Sequence, residues 1–215
     1  SAFLLTLRLA LTATLILLLI GMPVAWWLAK SQWRFKYLLE AIIALPLVLP
    51  PTVLGFYLLL LLGANGPFAA ITGNTLAFSF TGLVIGSVIY SLPFVIQPLQ
   101  DAFQAIGARP MEVAATLRAS PRDRFLTVAL PLARPGFITA SVLGFAHTLG
   151  EFGVVLMIGG NIPGQTRVLS IAIFDHVESL DYGSAHWLAG SLLVLSFIML
   201  AVVYAINKRF RVFRL

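Results

Sequence analysis

Residues 112–131 read EVAATLRASPRDRFLTVALP. The stretch is charged and carries Arg118, Arg122 and Arg124, yet long apolar segments flank it on both sides. Ser120-Pro121-Arg122-Asp123 spells a helix start: a serine to cap, a proline for the first turn, and an acid three residues on. Pro110 likewise suits the first turn of an earlier helix over Met111–Leu117. The second helix is expected to run to about Val128, before Pro131 opens the next apolar segment. The spacing therefore predicts two short helices at a bend, over about 108–131, forming a compact knob. Ala114 and Ala115 are expected on its surface, where small side chains let another backbone approach.

Working outward, the rest of the chain is apolar. Of its 215 residues, 60% are hydrophobic and 10% charged, with mean hydropathy +0.98. A soluble domain carries about a quarter charged residues and has no core able to hide this much apolar surface, so the surroundings must be lipid. Cysteine is absent, which excludes disulfides and thiolate metal sites. The net charge of +6 comes from basic residues at the ends of apolar segments, which speaks for membrane flanks and against nucleic acid. The chain opens on Ser1 rather than Met, so a few residues are expected to precede it, and no signal peptide is visible.

A crossing helix needs about 20 apolar residues. Five segments qualify: Leu9–Ala29, Ala41–Leu62, Leu76–Gln100, Pro135–Ile158, which Gly144, Gly150, Glu151 and Gly153 break, and Trp187–Ile206. Val168–Phe174 is too short and reads as an interfacial or re-entrant piece. Twelve of the fourteen basic residues fall between spans one and two, between three and four, or after span five, the last group being Lys208, Arg209, Arg211 and Arg214. The positive-inside rule makes that side cytoplasmic. The reading is an all-α polytopic membrane protein, residues 1–215 as one domain, with the N-terminus outside and the C-terminus inside. No internal repeat is visible. Pro46, Pro50 and Pro51 remove three backbone donors from the second span, so it is expected either to lie buried between helices, lining a cavity, or simply to kink.

The 112–131 stretch resembles the coupling loop of ABC-importer permeases, with its Glu-Ala-Ala start, small turn and Leu-Pro about twenty residues after the Glu. Glu112, Ala114, Ala115, Ala119, Ser120, Pro121, Leu130 and Pro131 stand at matching positions. Arg118 stands where the family usually has Gly, which implies a less pinched turn or an added charge for a partner. Gly150-Glu151-Phe152-Gly153, the run from Gly160 through Asn161 to Thr166, and Leu45–Pro51 resemble the oxyanion branch of these permeases. Gly164-Gln165-Thr166-Arg167 is more similar to the molybdate type than to the sulfate type. The resemblance covers nearly the whole chain. It implies a multi-pass pore subunit of the inner membrane, paired with a second copy, driven by separate ATPase subunits holding ATP and Mg, and fed by an extracytoplasmic oxyanion-binding protein. No phosphate-binding loop occurs here, since Lys30, Lys36 and Lys208 all lack its context.

On this reading Pro46, Pro50, Pro51, Gly150, Glu151, Phe152, Gly153, Asn161 and Thr166 form the gate or pathway. Glu151 is the one carboxylate well inside an apolar segment, and membrane-embedded acids tend to be functional. It repels a dianion, so it is expected to pair with a basic residue or backbone amides and to position a gate, or else to serve as a structural hydrogen-bonding group. Weak substrate binding calls for neutral polar linings, for which Ser87, Ser91, Gln97, Ser141, Thr148 and Asn161 are the candidates. Asp175, Glu178 and Asp181 form either an acidic rim that steers a binding protein or ordinary solvated charge. His147, His176 and His186 lack metal-ligand spacing. A sulfate-type permease is the near alternative. An ion-coupled secondary transporter would want a repeat and coupling acids. An intramembrane serine protease would want a paired serine and histidine, and Ser141 with His147, six apart on one helix, do not face each other.

Overall fold

The computed structural model describes residues 1–212, without the side chains of 203 and 206–212. Arg214 therefore lies outside the described residues, as do the side chains of Lys208, Arg209 and Arg211. The described residues are helical, with no strand among them. The elements are α1 (Ala2–Lys30), α2 (Lys36–Val48), α3 (Pro51–Leu62), α4 (Pro67–Thr72), α5 (Phe80–Ala105), α6 (Arg109–Thr116), α7 (Pro121–Leu132), α8 (Arg134–Leu149), α9 (Gly153–Gly159), α10 (Leu169–Glu178) and α11 (Tyr182–Val212).

The centre of the protein is α5, with α1 and α8 laid against it. The buried stripe of α1 runs through Ala10, Ala13, Thr14, Leu17, Gly21 and Ala25, at three- and four-residue intervals. Small residues at this spacing let helix axes approach closely, which is how helices associate where lipid removes the hydrophobic drive. Leu11, Leu15 and Leu19 on other faces of α1 are exposed. Val95, Ile96, Leu99 and Phe103 of α5 fill the core opposite the stripe.

Four helical stretches are long and apolar enough to cross a membrane: Ala2–Lys30, Pro51–Thr72, Phe80–Ala105 and Tyr182–Val202. A fifth is reached if α7 and α8, bent by 67° at their junction, count as one. Two predicted spans are therefore corrected. The segment read as Ala41–Leu62 is broken between α2 and α3, because Leu49 and Pro50 are both extended (ψ 135°) and Pro51 starts a new helix. Pro46 stays inside α2, buried. The segment read as Pro135–Ile158 is broken at Gly150-Glu151-Phe152, which separates α8 from α9. The halves that follow the two breaks, α3 and α9, pack on each other through Leu58, Leu62, Val154 and Ile158. As expected, α10 is too short to cross. It is tied to α1, where the Thr6 hydroxyl accepts the Leu169 N–H at 2.7 Å.

Candidate functional site

The bend at 109–132 is built from two end motifs. Helix α6 closes with the Arg118 N–H donating to the Ala115 carbonyl and the Ala119 N–H to the Ala114 carbonyl. That is a Schellman motif, and it puts the residue after the cap in the left-handed region. Arg118 has φ +60°. The expectation of a less pinched turn is thus corrected: the arginine adopts the conformation that glycine favours, because the two hydrogen bonds leave it no other. Arg118→Gly should stabilise the folded protein by about 1 kcal/mol, the cost of left-handed backbone in a residue with a Cβ. Thermal unfolding of the two proteins in the same detergent checks this, and a lower midpoint for the glycine variant would refute it.

One residue on, α7 begins with the capping box read from the sequence. The Asp123 N–H donates to Ser120 Oγ at 3.2 Å, and the Ser120 N–H donates to Asp123 Oδ2 at 3.3 Å. The helix continues past Val128 to Leu132, which corrects the expected end point. Within it Arg124–Ala129 winds as a π-helix, the Leu130 N–H reaching back to the Phe125 carbonyl. Pro131 lies inside α7 and has no N–H to return, and such residues are common where a helix is widened or kinked.

Ala114 is corrected as well. It is 8% exposed, turned toward the α7 side of the bend, while Ala115 is exposed. What the bend presents outward instead is Val113 at 60%, Leu117 at 78% and Leu126 at 57% exposed, next to the exposed Glu112, Arg118 and Arg122. The leucines and the valine were missed in the sequence, although Val113 and Leu117 are spaced four apart on one helix face. Apolar side chains ringed by charge mark a protein contact rather than a lipid face. At its root the bend is fixed: Phe125 meets Trp26 edge-on at 5.0 Å, Trp26 meets Phe103 at 5.1 Å, and Phe103 meets Phe137 at 5.9 Å.

The second site is a cavity of about 580 Å³ where the two broken spans meet, lined by Pro51 and Thr52 of α3, Tyr90 of α5, His147 of α8, Gly150, Glu151, Phe152 and Gly153. Glu151 is 3% exposed. Its partner is neither a basic residue nor a backbone amide, which corrects the expectation. The Ser87 hydroxyl donates to Oε2 at 2.6 Å, the Ser170 hydroxyl donates to its carbonyl at 2.6 Å, and Oε1 has no hydrogen-bond partner. One turn along α5, Ser91 Oγ meets His147 Nδ1 at 2.8 Å and Thr148 Oγ1 at 3.1 Å. The His147 ring stacks on Phe94 at 3.9 Å.

Ser87, Ser91 and Thr148 are therefore bonds between helices rather than an open lining. Ser91 is fully buried, which leaves the pair with His147 no access as a nucleophile. Ser141 bonds its own helix at the Phe137 carbonyl. Gln97 is exposed and borders a smaller cavity near Asp101.

The 159–185 loop bonds largely within itself. The Thr166 hydroxyl, fully buried, donates to the Gly159 carbonyl at 2.7 Å and accepts the Ile162 N–H. Arg167 donates to Asn161 and to Asp175, and the Asn161 amide donates to both Asp175 oxygens. Asp175 is thus paired within the chain. Hydrogen bonds from Ser184 hold the exposed Asp181 carboxyl below its ordinary value. Among the described residues no cluster of His and acidic groups fits a metal.

A charged bend with an apolar tip, rooted in helices that break around a cavity, is the build of a membrane subunit that works with a partner outside the bilayer. The chain belongs to the family described as binding-protein-dependent transport system inner membrane components, which it matches over residues 6–212. It is 60% identical over 215 residues to the molybdenum transport system permease protein ModB of Azotobacter vinelandii, covering 98% of this chain and 95% of that one. It is 35% identical to a probable sulfate transport system permease protein cysT of Anthoceros angustus, covering 92% of this chain and 69% of that one. Among solved structures, an inward-facing MetNI methionine ABC transporter shares the fold, with TM-score 0.73 at 16% identity, covering 95% of this chain and 92% of that one. The protein is accordingly a multi-pass permease subunit of the ABC-importer type.

Proposed function

We propose that this permease carries molybdate from an extracytoplasmic binding protein into the cytoplasm, as a homodimer in the inner membrane. The observation that carries the substrate is the 60% identity, along nearly the whole chain, to a relative named for molybdenum transport, against 35% to one named for sulfate. The chain holds no ATP site of its own; ATP and Mg sit on the partner ATPase subunits. The N-terminus lies outside and the bend lies inside, following the basic residues that flank the spans.

The bend is the coupling element. Glu112, Ala115, Arg118, Ser120 and Pro121 lie on its exposed surface, while Ala114, Ala119, Leu130 and Pro131 hold its shape. Its aromatic root passes movement of an ATPase to α1, α5 and α8 as a rigid lever. Glu151 serves the gate. A buried acceptor without a donor costs about 1–3 kcal/mol, and such a group is best accounted for by a donor that it meets in another conformation. Pro50, Pro51, Gly150, Phe152 and Gly153 are the joints at which the two broken spans move.

The complex reconstituted with its ATPase and binding protein tests this. Molybdate-loaded binding protein should stimulate ATP hydrolysis and uptake, sulfate-loaded binding protein should do so far less, and uptake should vanish without the ATPase. Equal stimulation by sulfate would move the chain to the sulfate type, and uptake without the ATPase would make it a secondary transporter. In the same assay Glu151→Gln, which keeps an acceptor for Ser87, should leave the complex stable and lower uptake about tenfold. Full uptake would end the gating role.

A further inference from the structure

Between the last turns of α1 and the start of α7 lies a groove of about 420 Å³, lined by Met22, Pro23, Trp26, Pro121, Arg122, Phe125 and Leu126. Its walls are apolar, and Arg122 is the one charged group that lines it. Among the described residues Arg122 makes no ion pair, since its neighbour Asp123 is engaged by Ser120. A second cation stands at the groove: the Lys30 ammonium lies 5.3 Å from the centre of the Trp26 ring. Met22 and Lys30 are eight residues apart on one helix, about 12 Å along its axis. The groove thus runs from the charged end of α1 inward to the depth of upper acyl chains. Long apolar walls with cations only at one end suit an amphiphile, and the cations fix its sign.

The geometry points to a site here for one anionic phospholipid of the cytoplasmic leaflet, its headgroup phosphate against Arg122 and Lys30 and an acyl chain along Met22, Trp26 and Phe125. Guanidinium groups bind phosphate through paired N–H donors, and basic pockets between helices on this side of a membrane recruit anionic headgroups. The site joins two parts that must move together. Met22 and Trp26 belong to the helical body, whereas Arg122 and Phe125 belong to the coupling bend, so the lipid stiffens the joint between them. This rests on the reading that the bend faces the cytoplasm and meets an ATPase.

The test uses the complete complex with its ATPase in nanodiscs of equal parts phosphatidylglycerol and phosphatidylcholine. The lipid retained after transfer to detergent is counted by mass spectrometry of the intact assembly. The wild type should keep phosphatidylglycerol over phosphatidylcholine by about fivefold, the factor that corresponds to about 1 kcal/mol for a basic residue near an anionic surface. Arg122→Gln should lose that preference and Arg122→Lys should keep it. Arg34→Gln, the same loss of charge away from the groove lining and the coupling bend, should retain the wild-type level. Equal retention by Arg122→Gln and the wild type would overturn the site, as would an equal loss in Arg34→Gln. Failure of the ATPase to remain in the complex would instead overturn the functional reading, and the same spectra register that separately.

Discussion

Val113→Asp combined with Leu117→Asp should release the ATPase subunits from this permease, with affinity falling by about 100-fold or more. The two side chains stand four residues apart at the end of α6, they are largely exposed, and the exposed Glu112 and Arg118 flank them in the chain. Among the described residues nothing covers them, and the charge beside them keeps that surface out of lipid. Burying a valine or a leucine in a partner contributes about 1.5–3 kcal/mol, and central apolar anchors carry most of an interface's energy. Each 1.4 kcal/mol is tenfold in affinity, and an aspartate adds the cost of burying a charge. Because neither side chain is part of the chain's own core, the permease itself should unfold at the wild-type temperature. Co-purification of tagged ATPase and thermal unfolding of the permease read the two effects separately. An ATPase that stays bound through both substitutions would show that the bend docks elsewhere.

What the sequence disclosed and what it hid divide along physical lines. Hydropathy located α1, α5 and α11, since a run of about 20 apolar residues has only one economical fate. The capping box at Ser120 was legible because its partners lie three residues apart. The interruptions at Leu49-Pro50 and Gly150–Phe152 were legible in their prolines and glycines, but not that each one ends a helix. Averaged over its length, each interrupted segment still scores as one crossing. Contacts across the chain were out of reach: Ser87 and Glu151 are 64 positions apart, and Ser91 and His147 are 56 apart. Arg118 shows a different limit. Its identity argues against a left-handed turn, but the closing hydrogen bonds of α6 impose one. Ala114 was placed outward because small residues invite partners, and here the partner is the chain's own second helix.

Gly55 carries the other large effect, and its sign is the test. In an open helix, alanine is favoured over glycine by about 1 kcal/mol. Gly190, in α11, has nothing within 4 Å of where a Cβ would stand, so Gly190→Ala should stabilise the protein by roughly 0.5–1 kcal/mol. At Gly55 the same methyl would lie 2.8 Å from Met157 Cβ and 3.2 Å from Val154 Cα. Both atoms sit at or next to the α9 backbone, so no side-chain rotation relieves the clash. One turn earlier, a Cβ on Gly153 would lie 2.8 Å from Pro51 Cβ, so the contact is tight along both half-helices. Overpacking costs about 1–3 kcal/mol and outweighs the helix preference. Gly55→Ala should therefore destabilise by about 1 kcal/mol, and Gly55→Leu by about 3 kcal/mol or more, enough to push α3 off α9 and open the cavity floor that Pro51 and Gly153 share. Unfolding midpoints of the assembled complex decide it. If Gly55→Ala proves as stabilising as Gly190→Ala, the close contact between the two half-helices does not exist in the membrane, and the joint around Glu151 must be built another way.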